Sequence, residues 1–120
     1  TGFGLLGHLD SMMRGSGTRA FLSAGSLRIL PQIRELAAAG LVPAGSRSNL
    51  EFVAPRTRFP EGYSEVDRII LADAQTNGGL LAAVAPKQAA KLLRALEDSG
   101  IAAARIGEVR EGDPGVDVAA

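Results

Sequence analysis

Three short stretches of this sequence carry the residue types that handle anions. The first, Thr1-Gly2-Phe3-Gly4-Leu5-Leu6-Gly7-His8, meets the pattern G-x-G-x-x-G. In a dinucleotide-binding turn those glycines follow a strand, open a helix aimed at a pyrophosphate, and precede by roughly 20 positions an acidic residue for the ribose. Here no strand precedes them, and the corresponding neighbourhood reads Arg19-Ala20-Phe21-Leu22-Ser23-Ala24. The dinucleotide reading therefore falls. Two readings of the glycines stand: a helix entry whose free backbone N–H groups meet an anion, or close packing of the helix. The second stretch, Asp73-Ala74-Gln75-Thr76-Asn77-Gly78-Gly79-Leu80-Leu81, is equally open. Asn77-Gly78 is a turn dipeptide and Gly79 admits a close backbone approach, yet polar side chains and two glycines ahead of an apolar run also describe a loop facing a ligand. The third, Gly45-Ser46-Arg47-Ser48-Asn49, offers a basic residue and hydroxyls at another helix start. Anion binding is one reading there; for Arg47, Arg56 and Arg58 the simplest is solvated surface charge.

His8 is the only histidine, one helical turn after Gly4, placed to bond a phosphate or to hold the helix start. With one histidine and no cysteine, neither a zinc site of ordinary spacing nor a thiolate nucleophile can be assembled, and disulfides are excluded. A lone histidine beside scattered serines specifies no Ser-His-Asp triad. Asp10 falls on the wrong part of the first helix to join Gly2, and Asp73 is a single carboxylate, so no catalytic residue and no metal ligand is assigned. Thirteen basic and thirteen acidic residues cancel, which leaves no electrostatic footprint of a nucleic-acid or anionic-membrane binder. The longest apolar run, Gly78 to Pro86, is too short to cross a bilayer. The default expectation is a soluble, cytoplasmic protein. The start at Thr1, without an initiator methionine, reads as the start of a fragment.

The elements that must position these stretches follow from periodicity. In 120 residues there is room for one domain, 1–120. Leu5, Leu6, Leu9, Met12 and Met13 recur at helical spacing, which predicts a helix over Gly2 to Arg14 stopped by Gly15-Ser16-Gly17. Thr18 to Leu22 is a short strand. Pro31 opens a helix carrying Ile33, Leu36 and Ala37, ended by Gly40. Residues 44–63, rich in Pro, Gly, Ser and Arg, read as a long surface excursion with at most a short helix over Ser48 to Val53. A helix resumes at Ser64, where Ser64 and Asp67 have capping-box spacing. A β-α-β unit closes the chain: a buried strand Leu80 to Val84, a helix opened by Pro86 with Ala89, Leu92, Leu93 and Leu96 inward, and a strand Ala104 to Val109. On that reading Leu93→Ala costs about 2–5 kcal/mol. The turn Glu111-Gly112-Asp113-Pro114-Gly115 predicts a last strand folded back as a hairpin. The class is α/β, a small mixed sheet with helices packed on it.

Read together, TGFGLLGH and the QTNGGLL about seventy residues later resemble the carboxy-terminal half of selenophosphate synthetases (selenide, water dikinases). The usual forms in that family are Asp-Val/Ile-Thr-Gly-Phe-Gly-Leu-x-Gly-His and Asp-Pro-Gln-Thr-Ser-Gly-Gly-Leu-Leu. Gly45-Ser46-Arg47-Ser48-Asn49 is similar to a Gly-Thr-x-x-Asn stretch between them, and the likeness extends over nearly the whole chain. The resemblance implies a three-layer α/β/α sandwich of the aminoimidazole ribonucleotide synthetase C-terminal-domain type. It implies an enzyme that makes selenophosphate, AMP and phosphate from ATP, selenide and water with magnesium, as a homodimer. Its amino-terminal half, the partner of this domain, holds the reactive Cys or selenocysteine, the lysine and most of the metal-binding aspartates. This chain then supplies one wall of the cleft through Thr1, Gly2, Phe3, Gly4, His8, Gln75, Thr76, Asn77, Gly78 and Gly79, and is inactive by itself. Ala74 stands in place of the family's proline and Asn77 in place of its serine. The alternatives are a non-catalytic interaction module that uses its glycine-rich loops only for close contact, or the same domain from another ATP-dependent synthetase of the superfamily.

Overall fold

The first turn of the chain is set by one glycine. Gly4 adopts φ +68°, in the left-handed region, so the first helix starts there rather than at Gly2: α1 spans Gly4–Ser16 and ends on Gly17, φ +66°. Its buried stripe is Leu6, Leu9 and Met13, as the spacing predicts, but Asp10 lies buried on the same face. Strand β1, Arg19–Ser23, buries Ala20 and Leu22 in alternation. After a 3-10 turn at Ala24–Ser26 and the Pro31-Gln32 turn comes α2, Ile33–Ala38, which Gly40 follows with φ +83°.

The computed structural model describes all residues 1–120, and it corrects the reading of 44–63 as an excursion. Residues Ala44–Val53 form a helix, α3, that buries Ser46 and Val53 and packs across α1. Local propensity did not signal it, because Gly, Ser and Asn are poor helix formers; burial against α1 holds it. A 3-10 turn at Ala54–Arg56 leads into a two-residue strand, β2, Thr57–Arg58. Helix α4, Glu65–Leu71, begins as predicted, with the Ser64 hydroxyl accepting the Asp67 N–H at 3.0 Å.

The carboxy-terminal third departs most from expectation. Helix α5, Pro86–Asp98, forms, but none of its residues is buried: Leu92 is exposed and Leu93 and Leu96 are half-buried. Leu80 to Val84 is not a buried strand. It pairs with nothing, and Leu80 is fully exposed. The β-α-β unit is therefore absent, since an apolar run of five reads as a core strand whether or not the chain offers it a sheet edge. Strands β3, Gly107–Arg110, and β4, Gly115–Ala119, do form, yet not as a hairpin. The sheet order is β2-β4-β1-β3: β1 lies between the two, antiparallel to β3 and parallel to β4, and β2 runs parallel to β4. Register places Ala20 beside Val116 and Leu22 beside Val118. That face carries the core, in which Leu6, Leu9 and Met13 of α1 meet Ala20, Leu22, Val116 and Val118 of the sheet and Val53, Leu71 and Ala72 beyond. The class is α/β with a mixed sheet of four strands.

Candidate functional site

At the open end of α1 the two glycine-rich stretches meet. A Cβ built on Gly4 would lie 2.5 Å from the Ala72 carbonyl oxygen and 2.8 Å from that of Asp73, so only glycine lets the helix entry rest on the chain leading out of α4. The Thr1 backbone nitrogen donates to the Gln75 carbonyl at 3.0 Å. Two motifs about seventy residues apart in sequence are thus neighbours at Gly4 with Ala72–Asp73 and at Thr1 with Gln75.

Helix α3 joins them. Ser46 and Asn49 are three positions apart and so share one face. The Ser46 hydroxyl, wholly buried, donates to Asp73 Oδ1 at 2.6 Å and accepts the Ala74 N–H at 3.2 Å. The Asn49 amide donates to the Gly2 carbonyl of the first loop at 2.6 Å and to the Ala72 carbonyl, at the end of α4 just before the second, at 3.1 Å. Asp73 Oδ2 accepts from Gln75 Nε2 at 2.6 Å. The Ser46 hydroxyl and the Asn49 amide of the third stretch are therefore spent on the other two. Its basic residue, Arg47, lies apart, 3.8 Å from Glu65.

His8 stands one turn into α1, with its Nε2 in hydrogen-bond distance of the Thr1 hydroxyl and its ring edge-on to Phe3, centroids 6.2 Å apart. Phe3 is largely exposed. Gln75, Thr76, Asn77, Gly78 and Gly79 are all exposed, and the Thr76 and Asn77 side chains make no hydrogen bond within the chain. The glycines of the site divide into two kinds. Gly4 is required by conformation and by contact. Gly2 and Gly79 have neither a left-handed φ nor any atom within 4 Å of a built Cβ, and Gly78 would touch only the Gln75 side chain at 3.2 Å. The space beside them is open. The close approach anticipated at Gly79 is not made within this chain.

Asp10 was placed by spacing away from Gly2, and the structure gives it another task. It is buried with both oxygens engaged: Oδ1 accepts from Arg56 Nε at 2.6 Å, and Oδ2 from Arg56 Nη2 at 3.1 Å and Arg14 Nε at 3.0 Å. Burial pushes its carboxyl up, but the bonds and charges of Arg56 and then Arg14 outweigh burial and hold it below the usual carboxylate value. Arg56 is thus not the free surface charge its sequence context suggests; it also lies over the Phe52 ring at 5.3 Å. This pair fixes α1 to the turn before β2. Arg58 remains largely exposed, 3.7 Å from Asp117.

This end of the molecule carries the backbone N–H groups of the first turn of α1 and the hydroxyl and amide side chains of Thr1, Gln75, Thr76 and Asn77, donors of the kind that bind anions. It holds one carboxylate, Asp73, and no lysine or arginine is bonded to either loop. No three His, Cys, Asp or Glu side chains are grouped as metal ligands. Two open depressions lie elsewhere: about 430 Å³ lined by Arg28, Leu93, Glu97 and Ile101, and about 470 Å³ lined by Leu50, Phe59 and Arg68. Their linings contain no residue of the glycine-rich loops. No helix is long and apolar enough to cross a membrane.

Sequence comparison adds a lineage to this geometry. Residues 1–119 match the family described as AIR synthase related protein, C-terminal domain. The chain is 52% identical over 118 residues to the selenide, water dikinase of Myxococcus xanthus (strain DK1622), covering 98% of this chain and 34% of that protein. It is 38% identical over 119 residues to the selenide, water dikinase of Dechloromonas aromatica (strain RCB), with 98% and 34% covered. Against selenide, water dikinase 2 of Peptoclostridium acidaminophilum the identity is 40% over 106 residues, with 88% and 30% covered. The chain thus spans about a third of the length of the curated relatives it matches. With a mixed α/β sheet, paired glycine-rich loops and a match along nearly its whole length, the chain belongs to the AIR synthase related C-terminal domain family.

Proposed function

We propose that this chain is the carboxy-terminal domain of a selenide, water dikinase, and that its joined loops form one wall of the cleft where the longer enzyme binds the phosphates of ATP. The reaction is conversion of ATP, selenide and water to selenophosphate, AMP and phosphate. The observation that carries the reading is the meeting of the two motifs at Gly4 and Ala72, with open space left beside Gly2 and Gly79. In this reading the backbone N–H groups at Gly2 to Gly4 and the side chains of Thr1, Gln75, Thr76 and Asn77 orient the phosphates, Gly78 and Gly79 keep room for them, and His8 braces the helix entry through Thr1 and Phe3.

Phosphoryl transfer needs charge neutralisation as well as positioning. Magnesium prefers six oxygens, several of them water, anchored by one or two carboxylates. Near the loops this chain offers Asp73 alone, both of whose oxygens are engaged by Ser46 and Gln75. Its own residues do not fit a magnesium site. A helix terminus facing water contributes only about 0.3–1 kcal/mol to an exposed anion. The domain by itself therefore binds ATP weakly and does not turn it over; the amino-terminal domain supplies the remainder, and a homodimer and cytoplasmic location belong to the same reading.

The test is selenide-dependent formation of AMP from ATP by the full-length protein, beside calorimetry of this domain alone. AMP formation only in the presence of selenide is expected, with no saturable binding of magnesium-ATP to the domain at micromolar concentration. ATP consumed without selenide, or micromolar binding by the domain, overturns the reading. A second reading, an interaction module, has one observation in its favour, the exposed apolar side chains Leu80, Leu92 and Ile101. It predicts that Gly79→Ala leaves AMP formation unchanged.

A further inference from the structure

The third stretch is not an anion site of its own, since its Ser46 hydroxyl and Asn49 amide are bonded to the other two. Its geometry points to a different task, and we infer that Ser46 and Asn49 are positioning residues that lock the two glycine-rich loops into one unit, so that neither can move against the other when a ligand is bound. The inference rests on the reading of those loops as one ligand-facing wall.

Three observations support it. First, the clamp reaches both loops from one helix face. Asn49 donates to Gly2 of the first and to Ala72, the residue that leads into the second, while Ser46 holds Asp73 and Ala74 of the second. Second, the residue types fit the task. A primary amide carries two N–H groups in one plane and can satisfy two carbonyls at once; aspartate in its place presents only acceptors, oxygen facing oxygen. The Ser46 hydroxyl acts as donor to a carboxylate and acceptor from a backbone N–H, a pair of roles that a buried alanine cannot fill. Third, the join is close. The carbonyl that Asn49 holds, Ala72, is the one that any side chain at Gly4 would strike. Shifting one loop relative to the other would leave a donor or acceptor unpaired at a buried or half-buried position, which is costly. Neither Ser46 nor Asn49 needs to touch the ligand: Ser46 is wholly buried, and the Asn49 amide nitrogen is occupied by two carbonyls.

Hydrogen exchange on the full-length protein tests this without reference to activity. Asn49→Ala and Ser46→Ala are compared with wild type and with Glu51→Ala, an exposed position of the same helix. In both variants amides of residues 2–7 and 73–79 are expected to exchange about tenfold faster together. Those of β1 and β4 stay unchanged, as does every amide in Glu51→Ala outside α3. The KM for ATP should rise about tenfold with kcat within about twofold, on the same hydrogen-bond scale. Acceleration at one loop only, acceleration spreading into β1 and β4, or none at all overturns the clamp. If Asn49→Ala does not fold, Ser46→Ala, which removes a single oxygen, decides the matter by the same pattern. A wild-type protein that consumes no ATP refutes the functional reading and leaves the exchange result to judge the clamp separately.

Discussion

A methyl group added at Gly4 and one added at Gly79 meet opposite surroundings. At Gly4 it lands 2.5 Å from the Ala72 oxygen on a backbone with φ +68°. Left-handed backbone at a non-glycine residue alone costs about 1–3 kcal/mol, so Gly4→Ala is expected to lose at least that in urea denaturation. At Gly79 the methyl meets open space, and Gly79→Ala should leave stability within about 0.5 kcal/mol while reducing AMP formation by the full-length protein. Equal stability losses at both positions would show that Gly79 is a packing glycine. The sequence carried the location of these glycines and the pairing of the two stretches through resemblance. It did not separate the two kinds of glycine, because φ and the distance to a chain segment seventy residues away are products of the fold. Ser46 and Asn49 were visible as residue types at a helix start, but their partners Gly2, Ala72, Asp73 and Ala74 lie on two other segments, and nothing local announces that.

Among elements, α1 was the most legible, since its stripe of Leu6, Leu9 and Met13 has the period of a helix resting on a sheet. Asp10 on the same stripe is the exception, and its partner Arg56 is forty-six positions away. The pair predicts an acid limb. The folded Asp10 carboxyl titrates below its usual value, about 3.9 in an unfolded chain, so its contribution is fully present above about pH 4 and is lost as pH falls through the folded value. Asp117, held down mainly by its bond from Arg19, and Asp67, held down mainly by Ser64, act with the same sign. Asp10→Asn should cost about 1–3 kcal/mol at pH 7, and the gap from wild type should narrow below pH 4. A gap that is constant from pH 7 to pH 3 would rule out the ion pair as its source. Helix α5 teaches the converse. Its amphipathic pattern correctly predicts a helix, but pattern alone does not say what it packs on, and in this chain no residue of it is buried. Leu93→Ala is accordingly expected to cost about 1 kcal/mol or less, well under the 2–5 of a core leucine; thermal melts of the two proteins decide between them.

At the scale of the molecule, the strand order is the feature least available to sequence reasoning. Alternation marked β1, β3 and β4 nearly in place, and the Gly112-Asp113-Pro114-Gly115 turn suggested that adjacent strands pair, as short connections usually imply. Instead β1 enters between β3 and β4, tied to β4 by Arg19, whose guanidinium grips Asp117 through two bonds of 2.7 and 2.6 Å. The consequence concerns the order of events when the chain is made. The strand that bridges β2 and β1 is the last of the four in the sequence, so until it emerges β2 has no partner and β1 has only β3. Pairing partners nearly a hundred residues apart impose the loop-closure cost that slows folding. Until Val116 and Val118 emerge, Ala20 and Leu22 have no neighbour on that side. Nascent chains arrested before β4 should thus stay protease-sensitive throughout and bind chaperones, and protection should appear in one step when β4 is released, rather than element by element.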